Sequence, residues 1–224
     1  MKIVTIIPAR GGSKEIPKKN IVSLCGKPLL WYVAQASQNS LSEETWVSTD
    51  CKEIKLAALD CGCQVIDRPQ ELCGDKSKSD EALVHFSEHV EFDILVFVQA
   101  TSPLLQSRDI DKGIKMILNE GYDSVFAAAR ESWLPRWTLD VKPSLWQINN
   151  RPMRQDVEDK YLESGALYIT TREQLEHSKL RYGGKIGVVE IPSYRNLDIN
   201  SRDDLTLVEG FIKKRENHEV LPLF

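Results

Sequence analysis

The chain lacks an apolar run of the roughly 20 residues that a membrane-crossing helix requires. Its opening run, Met1–Ala9, is closed at once by Arg10-Gly11-Gly12. No small-residue cleavage site follows it, so a buried first strand is expected there rather than a signal peptide or membrane anchor. An excess of one charge sign is also missing. The formal net charge is −4 over 224 residues, which leaves no basic field suited to wrapping nucleic acid. A small anionic ligand needs only a local positive pocket. Nor is there a disulfide framework: the five cysteines (Cys25, Cys51, Cys61, Cys63, Cys73) are odd in number. Cys61-Gly62-Cys63 has no second pair with which to complete a zinc site. Reduced thiols in a cytoplasmic protein are the expectation.

What is present reads as globular. Hydrophobic residues make up 42% and charged residues 28%, an ordinary balance for a packed domain. Short runs rich in β-branched residues predict strands at Ile3–Ile7, Thr45–Ser48, Gln64–Ile66, Ile94–Val98 and Ser124–Ala128, with later ones near Ala166–Ile169 and Ile186–Glu190. Helical patterns lie between them: Leu29–Gln38 behind Pro28, Lys52–Cys61 behind Asp50, Asp80–His89 behind Ser79, Ile110–Glu120, and a final Arg202–Lys214 after Ser201. Pro, Asp and Ser suit helix entry. The alternation implies βαβ units in a mostly parallel sheet covered on both faces. From about Arg130 to Lys160 the pattern breaks. Trp133, Trp137 and Trp146 fall there with Pro135, Pro143 and Pro152. The segment either caps the core or protrudes as an arm that buries its aromatics against a second subunit. One domain spanning 1–224 with an inserted arm at about 130–160 is expected.

The stretch after the first strand, Arg10-Gly11-Gly12-Ser13-Lys14-Glu15-Ile16-Pro17-Lys18-Lys19-Asn20, carries the chemistry. Ligands of open α/β sheets sit beyond the carboxyl ends of the strands. Gly11 and Gly12 allow close backbone approach and can aim N–H groups at a ligand, while Arg10, Lys14 and Lys19 supply positive charge. The run is neither GxxxxGK[ST] nor GxGxxG. A solvated, lysine-rich turn is the plain alternative.

The pattern Pro8-Ala9-Arg10-Gly11-Gly12-Ser13-Lys14 followed by Pro17-Lys18-Lys19-Asn20 resembles the signature of acylneuraminate cytidylyltransferases (CMP-sialic acid synthetases). Further stretches agree in order: Gly26-Lys27-Pro28-Leu29, Val47-Ser48-Thr49-Asp50, Arg68-Pro69 with Asp75 and Ser79, Gln99-Ala100-Thr101-Ser102-Pro103-Leu104, Arg154-Gln155-Asp156 and Gly165-Ala166-Leu167-Tyr168-Ile169. The resemblance implies a three-layer α/β/α nucleotidyltransferase with a mostly parallel, Rossmann-like sheet and a small dimerisation arm. It implies attack by the anomeric hydroxyl of a nonulosonic sugar acid on the α-phosphate of CTP, with Mg²⁺ as cofactor and a homodimer as the assembly. By motif, Arg10, Lys14, Lys19 and Gln99 carry the catalytic work. Ala9, Gly11, Gly12, Ser13, Asn20, Arg68 and Ser79 hold the nucleotide. Gln99, Thr101, Ser102, Arg154 and Tyr168 meet the sugar acid. Asp198 and Asn200 bind the metal.

The chain departs from that family in three places. Asn200 stands where Asp is common, Glu15 takes a small residue's place beside the phosphates, and Leu162 and Ser164 replace the Arg and Asn frequent in sialic-acid-specific members. A legionaminic- or pseudaminic-type acid therefore fits as well as N-acetylneuraminate. Asp198-Ile199-Asn200, read alone, is also adequate helix-entry sequence. His85-Phe86-Ser87-Glu88-His89 matches the HxxEH zinc-peptidase pattern, and a nucleotide binder without turnover is a third alternative.

Overall fold

A computed structural model describes residues 1–13 and 15–216. Among them, seven strands form one mixed sheet: β1 (Ile3–Pro8), β2 (Glu44–Thr49), β3 (Gln64–Asp67), β4 (Ile94–Val98), β5 (Ser124–Glu131), β6 (Lys160–Thr171) and β7 (Ile186–Glu190). Their spatial order is β7-β5-β6-β4-β1-β2-β3. Six helices accompany them: α1 (Leu29–Gln38), α2 (Lys52–Asp60), α3 (Ser79–Ser87), α4 (Ser107–Glu120), α5 (Arg172–Ser178) and α6 (Arg202–Glu216). The expected α/β architecture is present.

Strand alternation builds the layers. On β1, Ile3 and Ile7 join one core cluster with Leu30 and Val33 of α1, Ile54 of α2 and Ile110 and Ile114 of α4. Val4 and Ile6 face the opposite way, against Leu83 and Phe86 of α3 and Leu175 of α5. β4 divides its side chains likewise, Ile94, Val96 and Val98 to the first side and Leu95 and Phe97 to the second. A period-two strand buried on both faces thus separates two helical layers. α6 closes a third cluster, Val208 and Ile212 packing with Leu29, Tyr32, Leu104 and Ile199.

Not every strand is parallel. β6 runs antiparallel to both β4 and β5, and at 12 residues it is far longer than the Ala166–Ile169 expected from sequence. Its first part, Lys160–Glu163, pairs with Ala128–Glu131 as a ribbon running on past the sheet. Between these strands lie a two-residue hairpin (Arg136–Trp137 with Pro143–Ser144) and a single 3-10 turn at Arg154–Asp156. None of Trp133, Trp137 and Trp146 belongs to a core cluster among the described residues. Trp137 and Trp146 instead meet edge to face, their ring centroids 4.9 Å apart.

The helix α5 went unpredicted. Only Leu175 of its seven residues is buried, and its entry rests on Thr171 accepting from the Gln174 N–H. Elsewhere entry chemistry moved by a residue: α2 begins after Cys51 rather than Asp50, and α3 after Lys78 rather than Ser79.

Candidate functional site

The sheet order reverses between β1 and β4: the chain winds from β1 outward to β2 and β3, then returns to place β4 on the other side of β1. Such a switch point opens a crevice at the carboxyl ends of the strands. A cavity of about 400 Å³ occupies it. Pro8, Arg10, Gly12, Ser13, Glu15, Lys19 and Asn20 form its β1 side, and Phe97, Gln99, Ala100 and Thr101 its β4 side. Arg68, Leu72, Ser77, Lys78 and Ser79 close one end, and Asn200 lies at the other side.

The loop after β1 is held from behind. Gly11 donates its N–H to Asp50 Oδ1 at 2.8 Å, and a Cβ on Gly11 would fall 2.8 Å from the Cys51 Cβ. Gly11 is therefore required for packing against the end of β2. Its N–H is committed to Asp50 and does not face a ligand, contrary to the sequence expectation; Gly12, with open space beside it, lines the cavity. Arg10 reaches across to the carbonyls of Cys73 (3.2 Å) and Gly74 (2.6 Å), with Asp75 at 3.5 Å. Asn20 donates to the Arg10 carbonyl. Lys19, in a 3-10 turn at Lys19–Ile21, donates to the Ile199 carbonyl at 2.8 Å and to Asn200 Oδ1 at 3.0 Å. Lys18 adopts a left-handed φ of 53° and turns away to Glu53. Lys14 lies outside the described residues.

Arg68 is almost wholly buried and bonds the Ser48 hydroxyl and carbonyl at the end of β2. Burial lowers its pKa, but an arginine stays cationic under such a shift. Among the described lining residues, it joins Arg10, Lys19 and Lys78 as four cations against the one carboxylate of Glu15. Such a set suits a polyanionic ligand and stabilises charge that develops on it. Nothing in the structure explains Glu15.

Gln99 hangs from the end of β4, its N–H on the Ala166 carbonyl. Gly165 sits against it at φ +72°, a left-handed conformation that any side chain would strain. Thr101 lines the cleft, whereas the buried Ala9 and Ser102 lie behind its surface and support it. Tyr168 is buried, stacked on Phe97 at 5.4 Å with its hydroxyl donated to Glu163, so it backs the wall rather than facing the cavity. Arg154 is exposed in the 130–160 segment, beside a separate hollow lined by Ser132, Gln155, Val157 and Asp159; the fold does not bring it to the cleft within one chain.

Asp198 and Asn200 flank the buried Ile199, whose N–H bonds the Thr101 carbonyl. Asn200 is pinned on both sides, its amide N–H₂ on Asp198 Oδ2 at 2.9 Å and its carbonyl oxygen under Lys19. Asp198 Oδ1 is buried without a hydrogen-bond partner. Sequence reasoning missed Leu72, Ser77, Lys78, Phe97 and Ala100 as lining residues. Of these, Lys78 was in principle recoverable as a cation one residue before the expected Ser79 contact.

The HxxEH segment makes no metal centre. α3 ends at Ser87, before Glu88 and His89, and the His89 ring contacts the His85 carbonyl. Among the described residues no three His, Cys, Asp or Glu side chains converge. Among the described residues no cysteine pair forms a disulfide, and no described helix is long and apolar enough to cross a membrane.

The fold and cleft define an α/β protein with a cation-lined crevice at the β1–β4 switch point. A cytidylyltransferase family model matches residues 4–185. The chain belongs to the cytidylyltransferase family. N-acylneuraminate cytidylyltransferase A of Danio rerio is 35% identical over 216 residues, covering 92% of this chain and 50% of that protein. CMP-N,N'-diacetyllegionaminic acid synthase of Legionella pneumophila is 31% identical over 233 residues, 95% of this chain and 97% of its own. The chain thus spans about half the length of the fish relative and nearly all of the bacterial one. Among solved structures, CMP:2-keto-3-deoxy-manno-octonic acid synthetase complexed with CTP superposes with a TM-score of 0.74 at 19% identity, over 96% of this chain and all of its own. That likeness shows the shared fold.

A salt bridge ties the cleft's closing segment to the body. Arg181 holds Asp80, beside Ser79, at 2.7 Å and lies over the Phe97 and Tyr168 rings. Burial alone would raise the Asp80 carboxyl, but the Arg181 hydrogen bonds and charge outweigh it and hold the group below its ordinary 3.8. A depressed folded pKa stabilises above the unfolded value and loses that stabilisation as pH falls through the folded one. Asp80→Asn is therefore expected to lower unfolding free energy by about 1–3 kcal/mol at pH 7. In urea titrations the gap from wild type should shrink below about pH 4.

Proposed function

We propose that the protein transfers CMP from CTP to the anomeric hydroxyl of a nonulosonic sugar acid and releases pyrophosphate. The observation that carries this reading is the arrangement of Arg10, Lys19, Arg68 and Lys78 around one cavity at the β1–β4 switch point. The names of the relatives at 31–35% identity agree with it. The triphosphate lies along the Arg10–Asn20 loop, the nucleoside end toward Arg68 and Ser79, and the sugar acid on the β4 side at Gln99 and Thr101. The new bond to the α-phosphorus forms as the bond to pyrophosphate breaks. Such displacement needs alignment and neutralised charge more than covalent chemistry.

The residues present fit Mg²⁺. The partnerless Asp198 Oδ1 is a hard oxygen donor of the kind that shares such a cation with phosphate oxygens. When bound, Mg²⁺ neutralises phosphate charge. Asn200 brings no charge of its own; it orients Asp198 and Lys19 by bonding both. The chain works in the cytoplasm as a homodimer. Trp137, Leu139, Val141, Leu145 and Ile148 are exposed in the 130–160 segment, and a second copy would cover them. A solution mass of one chain at micromolar concentration would contradict the dimer.

The reaction is tested by pyrophosphate release with Mg²⁺, each nucleoside triphosphate and a panel of nonulosonic acids. Turnover with CTP and one acid is expected. Arg10→Ala and Asp198→Ala should each slow it on the order of a hundred- to a thousand-fold in folded protein. Bound CTP without turnover on any acid would leave a nucleotide binder instead.

A further inference from the structure

The Asp198–Asn200 segment hangs from the fold by an ion pair that the proposed chemistry does not use. Arg195, in the 3-10 turn Ser193–Arg195, and Asp109, in the first turn of α4, are both almost wholly buried. The guanidinium grips the carboxylate through both terminal nitrogens, Nη1 on Oδ2 and Nη2 on Oδ1. Asp109 Oδ2 also accepts the Gln106 N–H at 3.0 Å, which fixes the entry to α4. That entry ends the segment that starts at the cleft residue Gln99, so one carboxylate joins the Gln99–Gln106 segment to the Arg195–Asn200 segment, which brings Asn200 to the cleft. The two segments meet again where the Ile199 N–H bonds the Thr101 carbonyl at 2.9 Å.

A second observation marks the same place. Among the described residues five buried side-chain polar atoms lack a partner, and four of them are Ser102 Oγ, Arg195 Nε, Asn196 Oδ1 and Asp198 Oδ1. Orphaned polar atoms are rare in folded proteins and collect where a site stores uncompensated polarity for a ligand. A buried ion pair is a poor source of net stability, since desolvation cancels most of its attraction. Its geometry is what it contributes: a bidentate fork allows one register between the two segments.

We propose that the Asp109–Arg195 pair is the positioning strut of the metal-side wall. It fixes the Asp198–Asn200 segment, whose Asn200 lines the cleft, while leaving the nucleoside end, at Arg68 and Ser79, independent of it. This rests on the reading of Asp198 as the metal-binding carboxylate.

The test uses the full chain and Mn²⁺ as a spectroscopic probe, titrated by electron paramagnetic resonance with CTP present. Metal-free CTP affinity is measured alongside by calorimetry. The variants are Arg195→Lys, the double variant Arg195→Met/Asp109→Leu, and Asp198→Asn. The double variant removes both charges together, so no lone charge is left buried to unfold the protein; if it fails to fold, Arg195→Lys carries the test. The strut predicts Mn²⁺ affinity weakened about 10–100-fold, with metal-free CTP affinity within about twofold of wild type. Wild-type Mn²⁺ affinity in a folded strut variant, beside a weakened Asp198→Asn, would overturn the strut. Equal loss of CTP and Mn²⁺ affinity would also overturn it, as general loosening. Wild-type Mn²⁺ affinity in Asp198→Asn would instead remove the underlying assignment of the metal.

Discussion

The site depends on how closely the turn after the first strand packs against the end of the second. Gly11 has no room for a side chain beside Cys51, and its N–H is fastened to Asp50. That attachment fixes where the chain leaves the sheet. Arg10 is then aimed across the crevice at the Cys73 and Gly74 carbonyls, and Gly12 and Ser13 form the floor. Asn20 bonds back to the Arg10 carbonyl and closes the loop on itself. Lys19 is carried to the Ile199–Asn200 segment, 180 residues later in sequence. A side chain at Gly11 would displace the loop that carries both Arg10 and Lys19.

Electrostatics gives the cleft its direction. Buried Arg68 cannot relax into water; the uncharged Ser48 hydroxyl and carbonyl solvate it without cancelling its charge, which remains strong at short range. Lys19 is less buried and exchanges its protein oxygens for ligand oxygens more cheaply. One end of the cavity is therefore rigid and the other adjustable. This division suits a ligand with a fixed ring at one end and a mobile polyanion at the other. The Asp80–Arg181 bridge and the Phe97–Tyr168 stack brace the rigid end from beneath.

The strands and most helices were legible because burial on two faces imposes an apolar signal that short runs such as Ile94–Val98 carry without ambiguity. The helix α5 was not, since a single buried leucine gives no periodicity. The antiparallel direction of β6 was invisible because pattern and length do not encode strand polarity. At the site, loop composition located the cations but not their partners: no local signal says that Gly11 serves Cys51, or that Asn200 sits between Asp198 and Lys19. Tyr168 and Arg154 carried the right motif yet lie behind the wall and on a separate segment, because motif order records neither face nor depth. Arg195 and Asp109 were unremarkable in sequence, being 86 residues apart.

The claim that the triphosphate lies on the Lys19 side, with the nucleoside held separately, is tested most directly by calorimetric titration of CTP and CMP into wild type and Lys19→Met. The account predicts that wild type prefers CTP, and that the variant loses on the order of tenfold of that preference while binding CMP as before. An unchanged CTP-to-CMP ratio, or equal loss of both ligands, would contradict it.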